Sequence, residues 1–413
     1  MITRKRWTLA VALFAAFGLV AAACGDSDDS TETATSEAAA DTTEDSTATT
    51  EAAADDEATD DEMADDEAMD EEHSGDLGAC PNPIVFQTDW FPEPEHGALY
   101  NLTAGEGSID VESGRFTGPL AADPTINVEI RAGGPFIGFQ PTVTLMATDP
   151  SIFLGYVNTD EAILNYADFP STAVMAPLEI NPQIIMWDPA TYDISSWDDV
   201  KGTGAVINHF GGAAYTEFLA GSGIVDESQL DPSYDGSPAR FIAADGAIMQ
   251  QGFATQEPYN YEFAFTDWGK PIDFLLIHDS GFPIYQGPIA ILDANLDDAA
   301  RSCLGALVPL LQQSAVDFQN DPAAGNAAIL QAVTDLDSFW QLNVEGMSNT
   351  VVQMDVLGIV SNGPNDTLGD FEMSRVDEII ALIDGNVPSI EVPAGLSAAD
   401  LVTNEFIDTS IGR

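Results

Sequence analysis

The side chains best suited to chemistry in this chain crowd into one run, TDWFPEPEHGALYNL, residues 88–102. Indole and phenol faces such as Trp90 and Tyr100 stack on flat rings, and an imidazole such as His96 binds a ligand or moves a proton. His96 and Tyr100 are four apart and share a face of any helix that holds them. The same residues also suit duller work: core packing for Trp90 and Tyr100, bracing of a loop for His96. A second run, QQGFATQEPYNYE (250–262), offers Glu257 and Tyr259. A carboxylate there accepts from amino or amide N–H groups, or simply meets the dipole of a helix start. In NHFGGAAY (208–215), Phe210 offers a ring, or a core residue. Gly211 and Gly212 open a helix whose first N–H groups are free to donate. The loop GYVNTDE adds Tyr156, Asn158 and Thr159.

Other chemistries lack their signatures. His73, His96, His209 and His278 are far apart, and no HExxH, CxxC, GxSxG, P-loop or GxGxxG spacing occurs. A catalytic triad is assembled in space rather than in sequence, but nothing points to one, so no enzyme, metal or cofactor is expected. The net charge is −58. Beyond the first few residues the cations are Arg115, Arg131, Lys201, Arg240, Lys270, Arg301, Arg375 and Arg413, too few for a basic patch, which excludes nucleic acid as a partner.

The elements that must position these residues follow a leader and a tether. Residues 1–23 have a basic start and an apolar, small-residue run, the layout of a secretory signal peptide. The run ends VAAAC, which places Cys24 where a lipoprotein signal is cut and the cysteine lipidated. Residues 24–78 read as a disordered acidic tether; 25–79 hold 22 Asp or Glu, no Lys or Arg and no aromatic residue. As a coil the tether spans roughly 40 Å. With Cys24 lipidated, Cys80 and Cys303 remain, and an exported protein favours a bridge between them over two free thiols. Such a bridge contributes roughly 4–5 kcal/mol by chain entropy.

Beyond the tether, short apolar runs alternate with segments of helical period. PIVFQTDW, INVEIRAGG, SIFLGYV, STAVMAP, PQIIMW and GAVINHF read as strands. EHGALYNLTAGEGSIDV reads as one helix, FQPTVTLMATD and NTDEAILNYADF as others, the last capped by Asn158 or Thr159. The tail from Asp293 reads as mostly helical, in LDDAARSCLGALVPLLQQSAVDFQ, NAAILQAVTDLDSFW, VDEIIALI and SAADLV. This rhythm argues for α/β architecture with parallel sheets covered by helices. About 335 residues suffice for two lobes with a ligand cleft between them.

Three stretches, in order, carry a family resemblance: DWFPEPEHGALY, SWDDVKGTGAVINHFGGAAYTEFLAGSGI and QQGFATQEPYNYE. They resemble the nitrate, sulfonate, taurine and thiamine-pyrimidine-precursor binding group of ABC-transporter solute receptors, the SsuA-like group, over most of residues 83–292. The resemblance implies the periplasmic-binding-protein type II fold: two α/β lobes joined by a two-strand hinge. Lobe 1 would be 79–178 and 286–413, and lobe 2 would be 179–285. It also implies a monomeric, lipid-anchored receptor outside the cytoplasm, delivering a small molecule to an ABC permease. Trp90, His96 and Tyr100 would line the cleft from lobe 1; Phe210, Gly211, Gly212, Glu257 and Tyr259 would approach from lobe 2. Glu93 and Gly97 depart from the thiamine branch, where an asparagine follows the first proline and the glycine lies two residues past the histidine. The implied ligand is a small heteroaromatic nutrient, a thiamine-pyrimidine precursor or related vitamin. The alternatives are nitrate or a sulfonate, served by Arg131 and Arg240, and a pyrimidine-precursor enzyme on the same fold.

Overall fold

The computed structural model describes residues 75–413; the signal segment, Cys24 and the tether up to residue 74 lie outside the described residues. The chain begins with a 3-10 turn, Leu77–Ala79, and strand β1, Ile84–Gln87. A short helix α1 (Gly97–Asn101) follows, then strands β2 (Ser108–Asp110), β3 (Arg115–Leu120) and β4 (Asp123–Arg131). Next come α2 (Thr142–Thr148), β5 (Leu154–Tyr156), α3 (Thr159–Asn165), β6 (Ser171–Met175) and β7 (Gln183–Trp187). The middle of the chain forms α4 (Trp197–Thr203), β8 (Ile207–Asn208), α5 (Ala214–Gly221), β9 (Leu230–Asp231) and α6 (Ala239–Ala243). After it come β10 (Met249–Phe253), the turn α7 (Glu257–Tyr259), β11 (Asp273–Leu276) and β12 (Ile289–Leu292). Four helices close the fold: α8 (Asp298–Asn320), α9 (Ala323–Leu336), α10 (Val344–Val356) and α11 (Met373–Asn386).

These strands make two sheets, β2-β3-β4-β1-β5-β12-β6 and β11-β7-β10-β8-β9. The expectation of parallel sheets holds only for the centre of the first sheet and for one end of the second. β1 runs parallel to β4 and β5, and β8 parallel to β9 and β10. β12 is antiparallel to β5 and β6, and β7 is antiparallel to β10 and β11. The reason is connectivity. A strand that returns directly from the other sheet enters against its neighbours, and the tight turns of β2–β3–β4 admit only antiparallel pairs.

The expected long helix over EHGALYNLTAGEGSIDV is in fact a short helix, a turn and the strand β2. Ala104 and Gly105 have positive φ and end the helix; a Cβ on Gly105 would lie 2.5 Å from the Ala324 carbonyl oxygen. Helix α10 escaped the sequence reading because Gly346 and its β-branched residues lower local propensity. Tertiary burial of Met347, Thr350, Val351 and Met354 along one face forms it nonetheless, and the Asn343 side chain caps it by accepting from Gly346 N–H at 2.8 Å.

The chain passes from the first sheet to the second through 176–182 and returns through 277–288. Both passages are irregular chain rather than strand, apart from the 3-10 turn His278–Ser280. Helix α11 buries Val376, Ile379, Ile380 and Ile383 and touches α3 on the first sheet's side and α5 on the second's. Cys80 and Cys303 form a disulfide with 4.7 Å between Cα atoms, and Asp76 N–H donates to the Ser302 carbonyl at 3.0 Å. Together they fasten the start of the described chain to α8. Among the described residues no helix is long and apolar enough to cross a membrane.

Candidate functional site

β1 delivers the first half of the site. Its last residues lead into a turn pinned at Trp90, whose carbonyl accepts from Gly133 N–H at 2.7 Å and from the Thr88 hydroxyl at 2.8 Å. The turn Pro94–His96 then folds inward, leaving Glu93, Glu95 and His96 only 7 %, 5 % and 2 % exposed. His96 Nε2 lies 3.0 Å from Asp89 Oδ1 and 3.9 Å from Glu93 Oε1. The ring of Tyr156, at the end of β5, meets His96 edge-on at 4.9 Å.

The second half comes from the end of β10. Thr255 donates its hydroxyl to Glu95, and Gln256 Nε2 donates to Glu95 Oε2 at 3.0 Å and to Glu93 Oε2 at 3.4 Å. Elements of the two sheets therefore meet on a pair of buried carboxyls. Beside them rises an aromatic wall. Trp90 lies 5.9 Å from Phe91, 6.0 Å from Phe139, 6.1 Å from Phe210 and 5.9 Å from Trp340. Phe210 in turn meets Tyr234 at 4.8 Å, and the Trp340 indole N–H donates to the Pro92 carbonyl at 3.2 Å.

The electrostatics are one-sided. Burial, then the charges of Glu95, Asp89 and Glu257, lift Glu93 well above the usual carboxylate range. Glu95 is lifted too, mainly by burial. Burial pushes Glu257 to about 7, Glu161 to about 8 and Asp160 to about 6. No lysine or arginine answers them, because every one among the described residues is paired elsewhere; the imidazole of His96 is the nearest basic group, and it lies on Asp89. Arg131 is held by Glu129 at 2.6 Å and Asp149 at 2.8 Å, and Arg240 by Asp231. Arg375 lies on Glu179, Lys270 on Asp188, Lys201 on Asp226, Arg301 on Glu405, Arg413 on Asp355 and Arg115 near Glu129.

Of the residues marked by sequence, the structure brings together Trp90, His96, Tyr156, Phe210 and Glu257. Glu257 accepts from Phe253 N–H at 2.8 Å, closing its own turn at the edge of the cluster. Tyr100 packs on Phe116 at 5.0 Å in the core beside the first sheet, its phenol pushed up by burial and then by the charge of Glu93. Five others are placed differently. Asn158 Oδ1 accepts from Gly287 N–H at 2.7 Å, bracing the return passage, and Thr159 bonds the backbone of Tyr285. Gly211 and Gly212 are exposed. Tyr259 lies against Phe263 and donates to Asn343 at 3.4 Å, facing α10 rather than the carboxyls. Sequence reasoning missed Asp89, Glu95, Thr255, Gln256, Phe139, Tyr234 and Trp340. Only Glu95 left a trace, as the second acid in the proline-stiffened run FPEPEH.

No family model matches the chain, and no curated protein matches it. Solved structures do. A protein of Bordetella bronchiseptica RB50 is similar at 12 % identity with a TM-score of 0.50, over 79 % of this chain and 96 % of that one. A periplasmic sulfonate-binding protein of an ABC transporter of Methylobacillus flagellatus KT gives 11 % identity and 0.48 over 79 % and 93 %. The periplasmic aliphatic sulphonate binding protein of Escherichia coli gives 12 % and 0.44 over 66 % and 84 %. At such identities the likeness is one of fold. The shared fold is a mixed α/β one with two sheets, and among the described residues side chains from both sheets meet between them.

Proposed function

We propose that this chain is the extracytoplasmic, lipid-anchored solute receptor of an ABC importer, a monomer that captures a small heteroaromatic nutrient between its lobes and hands it to a permease. A thiamine-pyrimidine precursor or related vitamin is the ligand class that fits. The observation that carries this is the junction itself, where Trp90 meets Phe210 and Glu95 meets Thr255 and Gln256. Flat rings stack on the first pair, and ring amino groups find acceptors at the second. Lobe 1 is taken as 79–178 with 286–413, and lobe 2 as 179–285, with closure by hinge motion through the two passages. Two similar structures are named for sulfonates, but a sulfonate here would need a cation. Arg131 and Arg240 are both committed to carboxylates.

Native mass spectrometry of the purified chain, followed by denaturation and identification of the released molecule, tests the proposal. A nitrogen heteroaromatic supports it. Taurine, nitrate or an alkylsulfonate as the bound species overturns it. Turnover of a pyrimidine by the purified protein, with no permease present, would move it to an enzyme.

A further inference from the structure

The hydrogen-bonding inventory of the junction is unbalanced in one direction. Acceptors are plentiful: the carboxyls of Asp89, Glu93 and Glu95 converge on His96 and Gln256, with Glu257 at the edge. The donors that hydrogen-bond Glu93 and Glu95 are the Thr255 hydroxyl and the Gln256 amide, both neutral, while the His96 imidazole, 3.9 Å from Glu93, is engaged by Asp89. A second set of atoms points the same way. Gln256 Oε1, the Tyr156 hydroxyl and His96 Nδ1 are buried with no hydrogen-bond partner, on side chains that are 6 %, 2 % and 2 % exposed. Gln256 reaches the carboxyls through its nitrogen, and Tyr156 packs on the histidine that touches Asp89, so the orphaned atoms belong to the same cluster. Buried polar atoms in native proteins are almost always satisfied, and orphans gathered at one place ask for a partner.

From this geometry we infer that the ligand's recognised group is a cationic nitrogen with several N–H donors, an ammonium or amidinium, seated on Glu93, Glu95 and Gln256 with its carbon frame against Trp90. This rests on the receptor proposal and sharpens it from heteroaromatic to cationic. A charged nitrogen supplies the missing positive charge and donates to several acceptors at once, and an adjacent indole face adds a cation–π contribution. An anion would meet buried acid with no lysine or arginine beside it. A neutral alcohol offers one donor where the site holds several acceptors.

The test compares probes that differ only at the recognised group, by calorimetric titration of the full chain at pH 7.5. These are an aminomethylpyrimidine, the hydroxymethylpyrimidine with the same ring, benzylamine, benzyl alcohol and benzenesulfonate. The amines should bind at least about tenfold tighter than the matching alcohols, as expected for one charge-assisted contact. Glu93→Gln and Glu95→Gln should each erase most of that preference while the protein stays folded by its thermal midpoint. Equal affinity for pyrimidine amine and alcohol overturns the cation inference and leaves the heteroaromatic receptor standing. Benzylamine bound as tightly as the pyrimidine amine keeps the cation and overturns the heteroaromatic reading. Binding of benzenesulfonate alone, or of no amine at millimolar concentration, overturns the inference.

Discussion

Two acid sites at the junction of the sheets, one partly buried at Glu179 and one buried at Glu93 and Glu95, are solved in opposite ways. In the passages between the sheets, Glu179 receives Arg375. The guanidinium donates to Glu179 Oε1 at 2.8 Å, to the Glu179 carbonyl at 2.9 Å and to the Pro283 carbonyl at 2.8 Å, and lies 3.8 Å over the Tyr285 ring. Burial still lifts Glu179 to about 7, with Arg375 pulling the other way. In the cleft, Glu93 and Glu95 have neutral donors only. Glu179 carries its own counter-charge in Arg375, whereas Glu93 and Glu95, left without a lysine or arginine, are poised for a partner from outside.

Breaking the scaffold site should have the largest effect. Arg375→Met strands Glu179 and releases both passages at once, and about 3–5 kcal/mol should be lost in urea unfolding. A smaller but more telling pair follows. Glu179→Gln should destabilise the protein by leaving the Arg375 charge unpaired, whereas Glu95→Gln should stabilise the ligand-free protein by about 1 kcal/mol through removing an uncompensated buried acid. If both substitutions shift the thermal midpoint in the same direction, the contrast between the two sites fails.

The pH profile sharpens the contrast further. Glu257 near 7 and Glu161 near 8 keep protons in the folded state that the unfolded chain has already lost. Their contribution to stability is therefore full below about 4.5 and declines as pH rises toward 8. The ligand-free thermal midpoint should be higher at pH 5 than at pH 8, and a bound amine should flatten that slope by stabilising the ionised carboxylates. An unchanged slope with the amine bound would separate the ligand from the acids. Smallest of all, Tyr259→Phe should change stability by under about 0.5 kcal/mol and leave ligand affinity unaltered, because its hydroxyl faces Asn343 and α10.

Much of the architecture was legible because it rests on local pattern. β1 is a short apolar run closed by prolines, and α8 repeats its apolar residues every three to four positions from Ala300 to Phe318. Trp90 stood out because a strand ending in aromatics and prolines places those rings on a loop. β3 and α10 were missed because the evidence for them is a hairpin partner and a tertiary face, neither visible in a local window. Glu257 and Tyr259 attracted notice over Thr255 and Gln256 because charge and aromaticity are conspicuous in a sequence. In three dimensions β10 ends two residues earlier, so the neutral pair reaches across the junction while Glu257 turns back on Phe253.

The sequence by itself determined the α/β alternation, the shortage of cations and the aromatic-rich turn after β1, since each is a matter of composition or of near-neighbour spacing. Only the tertiary structure decided that eight of those scarce cations are all paired away from the cleft and that Glu93 and Glu95 are buried without one. Pairing and desolvation depend on which distant segments fold together. Residues 95 and 255 are 160 positions apart along the chain and in hydrogen-bond contact in the fold.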